Sequence, residues 1–153
     1  MASVFVDTSA FYALAAEQDR WHEAAQGIHE RLKRAGARLA TTNYVLLETI
    51  SLVQRRHGVA QAERFGESAA ERMDILWIDR AQHQAAWTTW KQQRRRGLSL
   101  VDCASFAVMR ERGIQSAFAF DPQFDEAGFL VLTASSDRVG GRRAAYRVSG
   151  RHR

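Results

Sequence analysis

Four carboxylates occupy sequence positions that a folded protein normally fills with apolar side chains. Asp7, Glu48, Asp102 and Asp121 end or interrupt strongly apolar segments, which read VFVD, NYVLLETISLV, LSLVDCASFAVM and SAFAFD. A buried carboxylate without a partner costs several kcal/mol or becomes protonated. We therefore expect the four side chains to share a cation. Oxygen ligands suit Mg²⁺ or Mn²⁺ rather than zinc, and such a site can bind a phosphodiester and activate water.

Three of these carboxylates also have a simpler, local explanation. Asp7 could cap the helix that follows it, and Asp121 could cap a helix that has Pro122 at its first position. Asp102 lies three residues after Ser99, which is the spacing of a capping box. Each explanation is sufficient for its own residue, whereas a shared cation explains the whole set.

The two acids on predicted helices are expected to face the protein interior. Glu48 falls on a helical stripe with Val45 and Leu52, and Asp102 falls on one with Phe106. A glutamate at such a position could instead pair with a buried arginine. The pattern predicts that both carboxylates point toward one cleft.

The elements that must position these residues alternate between strand and helix. The predicted strands are 3–6, 38–42, 74–78, 116–120 and 129–133, and the predicted helices are 8–16, 19–35, 43–57, 59–72, 80–95 and 99–112. This alternation is typical of an α/β fold with a mostly parallel sheet of about five strands. Ligands bind at the carboxyl ends of such strands, where Asp7 and Asp121 are predicted to lie. Trp77, inside the third strand, is assigned to the core.

Composition limits the class of protein. The chain has 153 residues, of which 46% are hydrophobic and 25% charged, as in a soluble globular protein of one domain. No apolar run approaches the ~20 residues of a membrane span, and the N-terminus lacks the features of a signal peptide. The single cysteine, Cys103, excludes an intrachain disulfide. We expect a cytoplasmic protein without a membrane partner.

Four motifs in order resemble those of the PIN-domain family, and within it those of the VapC toxins of bacterial toxin–antitoxin pairs. They read FVDTSAF, LLETISL, LSLVDCASFAVM and FAFDPQFDEAGF, and the resemblance covers about residues 3–132. It implies a PIN-like three-layer α/β/α sandwich and a Mg²⁺- or Mn²⁺-dependent endoribonuclease that leaves 5′-phosphate and 3′-hydroxyl ends. Asp7, Glu48, Asp102 and Asp121 match the acidic quartet that is catalytic and binds the metal. VapC-like proteins usually form homodimers and are inhibited by a cognate antitoxin, so RNA, an antitoxin and a second copy are the implied partners.

The resemblance assigns further residues around the quartet. Thr8 or Ser9 matches a hydroxyl beside the first acid that helps to order the site. Gly128 matches the turn glycine before the last strand. Asp125 is either an additional polar group behind the metal ligands or a solvated acid in a turn.

An arginine run and two tryptophans precede the segment that contains Asp102. Arg94, Arg95 and Arg96 could border the cleft and bind the RNA backbone, or they could form a solvated helix end. Trp87 and Trp90 are spaced to form a packing or dimer face. The three arginines are the candidate RNA-binding groups outside the quartet.

The net charge of +5 is concentrated at the C-terminal end. Residues 134–153 contain six arginines and one acid, whereas opposite charges balance in residues 1–133. We therefore divide the chain into a PIN-like nuclease domain, 1–133, and a basic tail, 134–153, that is expected to be flexible. The tail could add RNA affinity, occupy an antitoxin groove, or do neither.

Two other functions are compatible with parts of the sequence. One is a non-catalytic PIN-like module that binds RNA or protein, although the acidic set is complete. The other is a haloacid-dehalogenase-like phosphatase, which requires a second aspartate two residues after Asp7, where this chain has Ser9. The full quartet favours the endoribonuclease.

Overall fold

Five short strands form the centre of the molecule, and all of them run parallel. The computed structural model describes residues 2–134, so most of the predicted basic tail lies outside the described residues. The strands are β1 (Ser3–Val6), β2 (Arg38–Thr42), β3 (Asp74–Leu76), β4 (Ser116–Phe118) and β5 (Leu130–Val131). Their order in the sheet is β3-β2-β1-β4-β5. The predicted α/β class and the number of strands are confirmed.

Seven helices in the described range connect and flank the strands of this sheet. They are α1 (Thr8–Ala15), α2 (His22–Arg34), α3 (Asn43–His57), α4 (Val59–Arg72), α5 (Arg80–Gln93), α6 (Leu100–Glu111) and the short α7 (Gln123–Glu126). Each predicted helix is confirmed to within a few residues. None of the helices in the described range has the length and apolar character needed to cross a bilayer.

The first strand of the chain is the middle strand of the sheet. The neighbours of β1 are β2 on one side and β4 on the other, with Phe5 opposite Ala40 and Ala117. Val4 and Val6 are buried with Phe5, because a central parallel strand is covered on both faces. Since the chain leaves β1 toward β2 and later returns to its other side with β4, the strand order reverses between β1 and β4. Ligands bind in the crevice at such a reversal.

The ends of α3 are defined by local capping signals. The hydroxyl of Thr42 accepts a hydrogen bond from the Val45 N–H at 3.1 Å and begins α3, as predicted. Gly58, at φ 91°, ends α3 and begins α4. Aromatic residues fill the space beneath α6 and α7, where Phe106 and Phe124 meet edge to face at 4.9 Å. Burying one such side chain contributes ~1.5–3 kcal/mol.

Two predictions of side-chain orientation were wrong. The core-facing stripe of α3 consists of Val45, Thr49 and Val53, and Glu48 is exposed rather than inward. One residue of an α-helix turns the side chain by about 100°, so Glu48 lies beside the buried stripe. Trp77 is 73% exposed instead of buried, because the edge strand β3 ends at residue 76.

Candidate active site

The structure brings the predicted acids together where β1, β4 and α6 meet. Asp7 directly follows β1, and its N–H donates to the Phe118 carbonyl of β4 at 3.1 Å. Asp121 lies three residues after β4, and Asp102 lies in the first turn of α6. The charges of Asp102 and Asp121 both act on Asp7, and the charge of Glu48 acts on Asp102. We call Asp7, Asp102 and Asp121, with Glu48 at the exposed rim, the acid cluster.

Asp7 is the most deeply buried member of the acid cluster, with 4% of its surface exposed. Its Oδ2 accepts from the Ser9 N–H at 3.2 Å and from the Ser9 hydroxyl at 2.7 Å, so the predicted capping role is confirmed. Burial raises the pKa of Asp7 to about 7; the hydrogen bonds of Ser9 oppose the rise and the charges of Asp102 and Asp121 add to it. A metal-free Asp7 is therefore partly protonated near neutral pH.

Asp102 both caps α6 and belongs to the acid cluster. The predicted capping box is present: the Asp102 N–H donates to Ser99 Oγ and the Ser99 N–H donates to Asp102 Oδ2, both at 3.0 Å. The side chain is nevertheless buried and faces the acid cluster. Burial raises the pKa of Asp102 to about 6; Ser99 lowers it, and the nearby charges of Asp121 and Glu48 raise it.

Asp121 is half-buried at the exit of β4. Its Oδ1 accepts from the Gln123 N–H at 2.9 Å, and burial, with the charge of Glu126, raises its pKa. The prediction that Pro122 occupies the first helical position was wrong by one residue, since α7 begins at Gln123 and Pro122 precedes it. The side chain of Asp121 still bonds the first amide of that helix.

Each of the three aspartates holds one oxygen in a fixed hydrogen bond and leaves the other available. Oδ1 of Asp7, Oδ1 of Asp102 and Oδ2 of Asp121 accept no hydrogen bond from residues 2–134. Over the same residues, no three acidic, histidine or cysteine side chains stand close enough together to enclose a metal ion. The arrangement is a set of oriented, partly buried acids around an open centre.

Ser9, rather than Thr8, is the hydroxyl that orders the first acid. Its Oγ donates to Asp7 and accepts from the Phe120 N–H at 2.9 Å, so one hydroxyl ties the start of α1 to the exit of β4. The Thr8 hydroxyl is directed toward α3, where its oxygen lies 3.1 Å from the hydroxyl oxygen of Thr49. Of the two hydroxyls, Ser9 is therefore the one that contacts Asp7, and its role in ordering a metal site stays a prediction.

The residues around the acid cluster divide into those that reach it and those that do not. Asp125 is exposed on α7, and its side chain makes no hydrogen bond or ion pair within residues 2–134, as expected of a solvated acid. Gly128 has φ 94° and forms the predicted turn before β5.

Arg95 makes a 3.0 Å ion pair with Glu126, whose charge acts on Asp121. Sequence patterns did not reveal that Glu126 pairs with Arg95, because the two residues lie 31 positions apart in the chain.

Comparison with known proteins agrees with this geometry. A family model of the PIN domain matches residues 4–130. The 23S rRNA-specific endonuclease VapC20 of Mycobacterium tuberculosis (strain H37Rv) is 36% identical over 135 residues, which are 84% of this chain and 97% of the relative.

Solved structures show the same similarity. The crystal structure of Mycobacterium tuberculosis VapC20, described as a Sarcin-Ricin loop cleaving toxin, has a TM-score of 0.74 and 34% identity, and the match covers 85% of this chain and 98% of that one. VapBC2 from Rickettsia felis, bound to a promoter DNA fragment, is similar in fold alone, with a TM-score of 0.63, 11% identity, and coverage of 85% and 97%. By its motifs, its fold and these matches, the chain belongs to the PIN-domain family.

Proposed function

We propose that this chain is a VapC-type endoribonuclease toxin that cuts ribosomal RNA at its acid cluster with the help of Mg²⁺ or Mn²⁺. The observation that carries the proposal is the convergence of Asp7, Asp102 and Asp121 from three separate elements, with raised pKa values and a free oxygen on each. Such a concentration of unneutralised acids is unfavourable unless a cation shares it.

The donor set fits a hydrated divalent cation. Mg²⁺ keeps several waters and takes one or two protein carboxylates together with substrate phosphate, so it does not need three protein ligands in contact. Asp7, Asp102 and Asp121 would hold the ion, and Glu48, which is exposed at the rim, would act through water. When bound, the ion supplies Lewis-acid stabilisation of the phosphate charge and lowers the pKa of water.

The chain's own residues orient the carboxylates and provide an apolar floor beneath them. Ser9 and the Ser99 N–H each hold one oxygen of an aspartate and leave the other oxygen without a hydrogen bond from the described residues. The floor of the site is apolar, since Phe5 and Phe118 are fully buried beneath it. Electrostatic interactions are stronger above such a floor than in water, which favours preorganised charge stabilisation.

The substrate and partners are proposed from the relatives. VapC20 is named for its action on 23S rRNA, and this chain spans 97% of its length at 36% identity. We expect the same RNA to be cut, in the cytoplasm, by a homodimer. Chains of similar fold occur in toxin–antitoxin complexes, including one from Klebsiella pneumoniae, so a cognate antitoxin is the expected inhibitor.

The direct test is cleavage of isolated ribosomes and of a synthetic hairpin that carries the sarcin–ricin loop. We expect cutting in Mg²⁺ or Mn²⁺, none in EDTA, and 5′-phosphate and 3′-hydroxyl ends at the break. Calorimetry with Mn²⁺ provides the second measurement. A protein that binds the hairpin but neither cuts it nor binds Mn²⁺ would be the non-catalytic module instead.

Replacing Ser9 should weaken the site without unfolding the protein. Ser9→Ala removes the 2.7 Å hydrogen bond to Asp7, and loss of such a support for a metal ligand costs about 10–100-fold in activity or metal affinity. Initial cleavage rates and Mn²⁺ titration measure both quantities.

Ser105→Ala is the matched control for this substitution. Ser105 is also a buried serine, but its hydroxyl donates only to the Val101 carbonyl of its own helix, at 2.9 Å. Its cleavage rate should stay within about twofold of the wild type. Equal losses in the two variants would show that Ser9 acts on stability rather than on Asp7.

A further inference from the structure

The C-terminal end of α5 presents an exposed patch of aromatic and cationic side chains that the acid cluster does not use. An open pocket of about 400 Å³ is lined by Trp90, Lys91, Arg94, Arg95 and Arg96. Trp87 adjoins it, stacked on Trp90 with ring centroids 5.1 Å apart. We call these six residues the α5 patch.

The backbone at Arg94 is unusual. In the described chain, every other residue with positive φ is a glycine, at positions 36, 58, 113 and 128, whereas Arg94 has φ 46° and ψ 37°. A left-handed residue after a helix is normally glycine, because other side chains are strained there. The chain therefore keeps an arginine side chain at a position where glycine would be more stable.

Most of the positive charge of the α5 patch is unpaired. Of its four cations, Arg95 alone forms an ion pair with an acid within residues 2–134, and that acid is Glu126. Lys91 also lies over the ring of Trp87, with its Nζ 5.8 Å from the centroid. Three free cations so close together attract a polyanion.

The aromatic half of the α5 patch is open to solvent. Trp87 and Trp90 are 39% and 37% exposed, although tryptophan rings are normally well covered. Their exposed faces, next to unpaired cations, provide a surface on which a nucleobase can stack while its phosphates meet the cations.

The α5 patch lies beside the acid cluster. Arg95 pairs with Glu126, whose charge reaches Asp121. Arg95 also acts on Cys103, the residue that follows Asp102. On the other side of the loop, a side-chain atom at Gly97 would come within 3.2 Å of Nε2 of Gln123. The loop that carries the arginines is therefore packed against α6 and α7, the two helices beside the catalytic acids.

We infer that the α5 patch binds the RNA strand next to the scissile phosphate, with an unstacked base on Trp90 and backbone phosphates on Lys91, Arg94 and Arg96. This inference rests on the proposed ribonuclease function and adds to it the surface that holds the substrate. RNA fits better than an acidic protein segment, because phosphate charge and flat bases alternate along a single strand as cations and rings do here. The acid cluster repels RNA, so affinity must come from cations outside it.

Binding to a non-cleaving protein tests the inference. In the Asp7→Asn background and in Mg²⁺, the probe is a fluorescein-labelled RNA hairpin with the sarcin–ricin loop sequence. Trp90→Ala should weaken binding about tenfold. Lys91→Gln and Arg96→Gln should each weaken it and lower the slope of log K against log salt concentration by about 0.7. Arg34→Gln is the control, since Arg34 is exposed at the far end of α2, before β2 begins.

Arg94→Gly separates binding from folding. Glycine relieves the left-handed strain, so the variant should be more resistant to guanidinium than the wild type while it binds the hairpin several-fold more weakly. Arg112→Gly is the matched control: Arg112 ends α6 with φ −87°, so glycine there should lower stability and leave binding unchanged.

Failure of this inference can be distinguished from failure of the proposed ribonuclease function. Cutting by the wild type together with unchanged RNA binding by the Trp90, Lys91 and Arg96 variants would overturn the inference and leave the function intact. No cutting by the wild type, with weaker binding by the same variants, would overturn the function alone. Unchanged RNA binding together with a changed oligomeric state in the variants would assign the α5 patch to protein contacts and also overturn the inference.

Discussion

Asp7→Asn should abolish RNA cleavage and at the same time make the metal-free protein more stable above pH 7. The cleavage rate should fall at least ~100-fold, because the most buried oxygen donor of the site loses its charge. The stability should rise because asparagine can still accept from Ser9 without placing a charge in the interior. A pKa raised from 3.8 to about 7 corresponds to roughly 4 kcal/mol when the group is fully ionised. We expect a gain on the order of 2 kcal/mol, since the new amide group needs a partner of its own.

The measurements for Asp7→Asn are hairpin cleavage in Mg²⁺ and guanidinium unfolding in EDTA at pH 5 and pH 8. At pH 5 the gain should be much smaller, because Asp7 is protonated in the folded wild type and most of the penalty is gone. Asp125→Asn is the control, since Asp125 is an exposed acid of the same neighbourhood, and neither quantity should change. An Asp7→Asn protein that cuts RNA normally, or that is less stable at pH 8, contradicts the assignment of this residue.

The metal-free protein should lose stability as the pH rises from about 4 to 7, and Mg²⁺ should restore it. Asp7 and Asp102 have pKa values of about 7 and about 6 in the folded state, against 3.8 as the ordinary value. Between these values the folded protein holds more protons than the unfolded chain, so raising the pH favours unfolding. Below about pH 4 both states are protonated and the penalty disappears. A cation that binds the ionised carboxylates reverses the loss above pH 7.

Thermal unfolding in EDTA and in Mn²⁺ at pH 5 and pH 8 measures this linkage. At a metal concentration 100 times the Kd, binding contributes about 2.7 kcal/mol, which raises the Tm of a chain of this size by roughly 5–10 °C. The rise should occur at pH 8 and be small at pH 5, where protons compete for the same oxygens. The Asp7→Asn, Asp102→Asn double variant should show neither the metal effect nor this part of the pH dependence. An equal shift at both pH values would mean that the ion binds elsewhere.

The sequence located two of the acids relative to their helices because each lies next to a clear boundary signal, whereas their catalytic role stays a prediction. Asp7 follows a short β-branched strand and Asp102 follows a serine cap, and both signals are local. The convergence of the acids also followed from sequence, since parallel strands place their carboxyl ends at one edge. Metal binding and dimerisation stay predictions.

The orientation of Glu48 could not be predicted, because two stripes of α3 compete. One contains Val45 and Leu52, and the other contains Val45, Thr49 and Val53. A polar threonine is a poor candidate for a core position by pattern alone. In the structure, Thr49 donates to the Val45 carbonyl at 2.8 Å within its own helix, so it is buried without an unsatisfied hydroxyl. Only the folded state reveals this bond together with the partner Thr8.

The left-handed backbone of Arg94 could not be predicted from the sequence either. The predicted helix ran to residue 95, whereas α5 ends at Gln93 and Arg94 is the left-handed residue. The ion pair of Arg95 with Glu126 joins segments that are distant in the chain. Patterns of local spacing contain no information on such pairs.

The central position of β1 determines when during synthesis the protein can become active. Val6 pairs with Phe118, so the first strand made waits for more than a hundred further residues before its second neighbour exists. Until β4 is inserted, Asp7 has neither Asp121 beside it nor the Phe120 amide that holds Ser9 in place. A nascent chain therefore has no assembled centre while most of it is still being translated. For a protein proposed to cut ribosomal RNA, the candidate site is therefore complete only after β4 and the residues that follow it have been translated.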